Sequence, residues 1–167
     1  MWTELYWVDG PWPGKLALAA RPRGGDWLAD EMSNWRRAGV DAVLSLLTPG
    51  EEDDLELRSE RARAGVCGMD FLSFPIPDRQ VPDSEAGLTS TLEAVDAKLS
   101  AGRNLVVHCR QGVGRTGLVA ACLLVAKGLA PEDAVGRLSA ARGEEVPETA
   151  EQRRWIDRYA AIFAGAR

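Results

Sequence analysis

Residues 104–126, NLVVHCRQGVGRTGLVAACLLVA, constrain the fold more than any other stretch of the chain. A short apolar run ends at His108, a loop containing Gly112 and Gly114 follows, and a second apolar run begins at once. Residues 118–126, LVAACLLVA, are apolar on every side, and such a helix is buried all round in a soluble protein. This segment is therefore read as the central helix. Strand patterns cover Glu4–Val8, Leu16–Ala20, Ala42–Leu47, Phe71–Ile76 and Asn104–His108, while helical patterns begin near Asp26, Glu51, Asp83, Arg115, Pro131 and Thr149. Leu88, Leu92, Val95 and Leu99 form one helical stripe, and Trp155, Tyr159 and Ile162 another. Strands separated by helices predict an α/β fold, a central mostly parallel sheet of about five strands with helices on both faces, whose ligands sit beyond the carboxyl ends of the strands. His108 lies at such an end.

Composition narrows the function. At 167 residues and 46% hydrophobic content the chain fits one domain, residues 1–167, with a core that needs no staples. Cys67, Cys109 and Cys122 are an odd number set far apart, which points to a reducing compartment. A single histidine and no Cys-x-x-Cys pair speak against a structural zinc site. The N-terminus lacks a signal-peptide pattern and no run has the length of a membrane span, so the expected location is cytoplasmic. A net charge of −5 offers no general attraction for nucleic acid or acidic membranes. Any anion must be held by local groups. The acidic stretch Glu51–Glu56, followed by Arg58, Arg61 and Arg63, reads as a solvated helix face.

The loop supplies such groups. A strand, a tight glycine-containing loop and a helix N-terminus make a cradle of backbone N–H groups, here from Arg110, Gln111, Gly112, Val113, Gly114 and Arg115, with the positive end of the helix dipole behind them. The Gly-Lys-Ser/Thr of a nucleotide loop is missing. Instead a cysteine stands at the mouth and an arginine at the end. A cysteine in that field favours its thiolate form, and Arg115 presents a planar fork to two oxygens of a tetrahedral anion.

His108-Cys109-x5-Arg115-Thr116 resembles the signature loop of the cysteine-dependent protein tyrosine phosphatases, and the short chain is most similar to their compact dual-specificity branch, which includes bacterial members. Two further segments fit, in the family's order: FPIPD at 74–78 resembles the segment that carries an aspartate general acid, and PETAEQ at 147–152 the loop whose glutamine positions the hydrolytic water in some relatives. The resemblance implies a two-step reaction without metal or cofactor. Cys109 attacks phosphorus, Asp78 protonates the departing oxygen and later activates water, and the loop amides with Arg115 hold the equatorial oxygens. Thr116 would donate its hydroxyl to the Cys109 sulfur, and His108 would orient the cysteine backbone. The implied partner is a phosphorylated protein or peptide.

Several positions stay open at this level. Asp83 competes with Asp78 for the acid role but reads as a helix N-cap. Thr149-x-x-Gln152 is also a capping box, which explains Gln152 without chemistry. Arg79 and Arg110 are substrate contacts or surface charges, Trp12 core or pocket rim, Cys122 core, and Cys67 core or a thiol able to resolve Cys109. A phosphatase of a phosphoinositide, nucleotide or RNA 5′ end is the competing enzyme reading, although RQGVG lacks the lysines of lipid-directed relatives. A non-catalytic phosphate-binding module would be expected to lack Cys109, Arg115 or Asp78. Sulfurtransferases and arsenate reductases leave Asp78 unexplained.

Overall fold

The computed structural model describes residues 2–165. Five strands, β1 (Tyr6–Val8), β2 (Leu16–Ala19), β3 (Ala42–Ser45), β4 (Asp70–Ser73) and β5 (Leu105–His108), form one sheet in the order β1-β2-β5-β3-β4. β2, β5, β3 and β4 run parallel, and β1 joins the edge antiparallel to β2. The helices are α1 (Leu28–Arg37), α2 (Pro49–Asp54), α3 (Glu60–Val66), α4 (Glu85–Ser100), α5 (Gly114–Ala126), α6 (Pro131–Arg142) and α7 (Ala150–Gly165).

Alternation along the strands divides the core. Leu16, Leu18, Leu44, Leu105 and Val107 point to the face covered by α4, α5, α6 and α7, whereas Ala17, Ala19, Val43 and Val106 point to the face covered by α1 and α3. Helices thus cover both faces of a mostly parallel sheet, as the sequence pattern predicts. From Gly114 to Val125 every residue of α5 is buried, and the helix packs between α6 and α7. Leu88, Leu92, Val95 and Leu99 are the buried stripe of α4. In α7 the stripe differs from expectation. Trp155, Ile156 and Tyr159 are buried, but Ile162 is 48% exposed, because the stripe continues through Ala160 and Phe163, which pack against the core in its place.

Boundaries move for local reasons. The strand expected over Phe71–Ile76 ends at Ser73, since Pro75 has no N–H for a ladder, although Ile76 N still bonds the Leu46 carbonyl oxygen at 3.0 Å. Leu46 and Leu47 are buried beyond the end of β3. The helix expected near Asp26 starts with a 3-10 turn over Gly25–Trp27. The one expected from Glu51 is two helices, because Glu56 takes φ +57 and breaks the first after Asp54. Asp83 is exposed and does not cap α4; the hydroxyl of Ser84 accepts from Gly87 N instead, at 2.9 Å. α6 opens on Pro131 at its first turn and closes on Gly143 at φ +83, the asymmetry its sequence suggests.

Candidate active site

β5 is the middle strand, and its last residue, His108, is level with Ala19 of β2 and Ser45 of β3. The chain then turns through Cys109–Val113 into α5. Gly112 makes the turn possible: its φ is +74, and a Cβ there would lie 2.5 Å from the carbonyl carbon and oxygen of Ala19. Arg142, from the end of α6, stacks on Tyr6 and donates Nε to Gly112 O (3.1 Å) and Nη2 to Gln111 O (3.0 Å). With those carbonyls drawn outward, the N–H groups of the same peptide planes turn inward. Gly112 N accordingly donates to Cys109 Sγ at 3.3 Å. No side chain caps α5, so its first amides stay available to an anion.

Cys109, Arg115 and Asp78 meet in a cavity of about 160 Å³ that Arg79, Gln111, Gly114 and Glu148 complete. Arg115 is 1% exposed and its fork is fully oriented. Nη1 donates to Glu51 Oε1 and to Ile76 O, both at 2.7 Å, while Nη2 donates to Glu51 Oε2 at 2.9 Å and Asp78 Oδ1 at 3.0 Å. Burial disfavours the Arg115 cation, but its hydrogen bonds to Glu51 and the charges of Cys109, Glu51 and Asp78 outweigh it and raise its pKa. Burial likewise pushes the Glu51 carboxyl up, yet its bonds to Arg115 and Thr48 win and hold it below the usual range. Glu51 is placed by α2, whose N-cap Thr48 forms a capping box with it.

Beneath the loop, His108 is fully buried. Its Nε2 lies 2.7 Å from Glu60 Oε2 and its Nδ1 3.2 Å from Cys109 O. Burial lowers the His108 pKa, but the charge and hydrogen bond of Glu60, with the Cys109 carbonyl, overcome that and raise it. Both ring nitrogens therefore face acceptors, the arrangement of an imidazolium that fixes the Cys109 backbone.

A family model described as "Polymorphic toxin system, DSP-PTPase phosphatase" matches residues 17–129, which take in β2 through the signature loop and α5. The chain belongs to this DSP-PTPase family. Cyclin-dependent kinase inhibitor 3 of Homo sapiens is 28% identical over 126 residues, and that of Sus scrofa 33% over 126. Each match takes in 74% of this chain, and the chain spans 59% of the length of these curated relatives. Kinase associated phosphatase, solved with serine at its catalytic-site cysteine, superposes with a TM-score of 0.88 at 23% identity, over 98% of this chain and 97% of that one. Tk-PTP in its active form gives a TM-score of 0.78 at 26% identity, over 96% and 99%.

Two readings change in this DSP-PTPase site. Thr116 is buried, but its Oγ1 has no partner among the described residues; the sulfur takes the Gly112 N–H instead. Gln152 is fully buried and does not line the cavity. Its Oε1 accepts from Glu148 N and Thr149 N, its own N–H goes to Thr149 Oγ1, and Nε2 reaches Gln80 O at 3.1 Å. The capping box is real, and the same side chain ties α7 to the Asp78 segment. Arg110 is exposed, with its carbonyl held by Arg21 N at 3.2 Å. Trp12 is buried and donates to Asp96 Oδ1, and Cys122 is core. Cys67 precedes β4, at the opposite end of the parallel strands from Cys109, so the two thiols are not placed to form a disulfide.

Local sequence gave no sign of Glu60 or Arg142, Glu148 stood in the PETAEQ segment without a role of its own, and Glu51, read as part of a solvated helix face, is instead paired with Arg115 at the start of α2. Among the described residues no group of histidine, cysteine and carboxylate side chains is arranged to hold a metal ion, and no helix is long and apolar enough to cross a membrane.

Proposed function

We propose that this chain is a phosphomonoester hydrolase working through a phosphocysteine, specifically a protein-tyrosine or dual-specificity phosphatase. The observation that carries the reading is the convergence of Cys109 and Arg115, from the two ends of one loop, and Asp78, from a separate segment, on one small cavity at the helix N-terminus. Cys109 Sγ attacks phosphorus as the bond to the leaving oxygen breaks, and Asp78 gives that oxygen its proton. Water then cleaves the sulfur–phosphorus bond with Asp78 accepting its proton, releasing phosphate and the thiolate. Glu51 and the Ile76 carbonyl hold one side of the Arg115 fork. Its Nη2–H toward Asp78 is the donor that a phosphoryl oxygen takes over, and the inward amides serve the remaining equatorial oxygens. The likeness to relatives named for kinase regulation supports a phosphoprotein substrate.

The leaving group tests the assignment. A general acid matters in proportion to how much the departing oxygen needs a proton, so Asp78→Asn should slow phenyl phosphate or phosphotyrosine hydrolysis about 10²-fold or more, and an activated fluorinated aryl phosphate much less. Asp83→Asn, at an exposed position outside the cavity, should run near wild type. Leaving-group dependence in the Asp83 variant instead would move the acid to that position, and equal slowing of all substrates by Asp78→Asn would make Asp78 structural.

Metal supplies no step in this scheme. Full turnover is expected after exhaustive EDTA treatment, and a loss that Mg²⁺ or Zn²⁺ restores would overturn the mechanism.

A further inference from the structure

Asp78 is carried by residues 77–83, a segment without helix or strand, and its side chain is 48% exposed. An acid on such a segment acts only if something holds it over the nucleophile. Its contact with Arg115 does not suffice, because a bound phosphoryl oxygen competes for the same Nη2–H. Gln152 Nε2 holds the segment from one side, through the Gln80 carbonyl. Between these points Arg79 Nη1 meets Glu148 Oε1 at 2.6 Å, an ion pair between residues 69 apart in the chain.

Three observations set this pair apart from an ordinary surface contact. Arg79 and Glu148 both line the cavity that holds Cys109. Arg79 adopts φ +61, a left-handed conformation that residues with a Cβ rarely take, and from there its side chain meets Glu148. Glu148 is itself immobilised: its N–H is bound to Gln152 Oε1, and a Cβ on Gly114 would come within 2.9 Å of its Oε2, so the carboxylate lies against the first turn of α5. One end of the pair is thus fixed to the phosphate cradle. The other is the residue next to the acid.

We propose that Arg79 and Glu148 form a latch across the catalytic cavity that holds Asp78 in position to protonate the leaving group. Both are positioning residues. Arg79 also neutralises a carboxylate that would otherwise face an incoming phosphate dianion. The inference rests on the phosphatase reading above and adds to it which side chains deliver the acid.

The test is a double-mutant cycle with Arg79→Ala, Glu148→Ala and the double variant, read as kcat on phenyl phosphate and on the activated fluorinated aryl phosphate. A loosened acid segment should cost each single variant about 10-fold on phenyl phosphate, and much less on the activated substrate. The double variant should lose no more than either single, because one latch is broken in all three. Arg79→Lys, which keeps the charge, should restore most of the rate. Thermal midpoints should stay close to wild type, since exposed ion pairs contribute little to stability. Additive losses, equal losses on both substrates, or failure of Arg79→Lys to restore any rate would each overturn the latch. Failure of the underlying reading looks different: Asp78→Asn would itself show no leaving-group dependence, whereas failure of the latch alone leaves that dependence intact.

Discussion

Cys109→Ser is expected to abolish turnover while leaving oxyanion binding intact. The side chain lies against the loop, 3% exposed, and accepts the Gly112 N–H, so a serine oxygen fits the same place without disturbing the cradle. It lacks a thiolate's nucleophilicity at neutral pH, and without a phosphoenzyme neither step proceeds. Phosphate or vanadate should still bind, because the loop amides and Arg115 are unchanged. Alkylation provides a second view of the same residue. Iodoacetate at pH 6 should modify Cys109 in the wild type and inactivate it, with phosphate protecting. Cys122 should not react, since burial pushes its thiol well above the usual range. Half-buried Cys67 serves as an internal control whose labelling phosphate does not change. Turnover by the serine variant above contamination, or inactivation without labelling of Cys109, would remove the nucleophile assignment.

What the sequence made legible follows from how far each signal reaches. The cradle was readable because strand, glycines, cysteine, arginine and an all-apolar helix stand within one continuous stretch, and local chemistry demands each of them. The layered sheet was readable from the same kind of regularity. The partners that orient the cradle were not. Glu51 and Arg115 are 64 positions apart, Glu60 and His108 are 48, and Arg142 reaches the Gln111 carbonyl across 31. Nothing in the run from Glu51 to Arg63 distinguishes the half-buried Glu51 and the buried Glu60, both paired, from their solvated neighbours. The capping box with Thr48 sets Glu51 at the start of α2, facing Arg115, and the break at Glu56 lets a second helix carry Glu60 to His108. Thr116 does not make the bond to sulfur that the resemblance implied: its buried Oγ1 has no partner among the described residues, and the donor at the sulfur is the Gly112 amide. Gln152 shows that a cap and a link to the acid segment are not exclusive, since an amide carries two kinds of hydrogen-bonding atom.

Glu60→Gln should destabilise the protein most at mildly acidic pH, and the pH dependence of that loss identifies His108 as charged in the folded state. Glu60 is 2% exposed and His108 fully buried, with 2.7 Å between them. Removing one charge from a buried pair leaves the other uncompensated, at a cost of about 3–5 kcal/mol. The pKa of His108 is raised in the fold, against about 6.5 in the unfolded chain. Protonation therefore adds stability that is fully present below about pH 6.5 and fades as pH rises through the folded-state pKa. In the variant the sign reverses. Burial without a counter-charge favours the neutral ring, the unfolded chain binds more protons, and stability climbs as pH passes through about 6.5. Denaturant unfolding from pH 5.5 to 9 should thus give two curves far apart on the acid side that converge toward the alkaline side. A gap that stays constant with pH would mean that His108 is neutral when folded and that Glu60 only accepts its hydrogen bond. The same variant loosens the ring that holds the Cys109 carbonyl, so its activity should fall even where its stability has recovered.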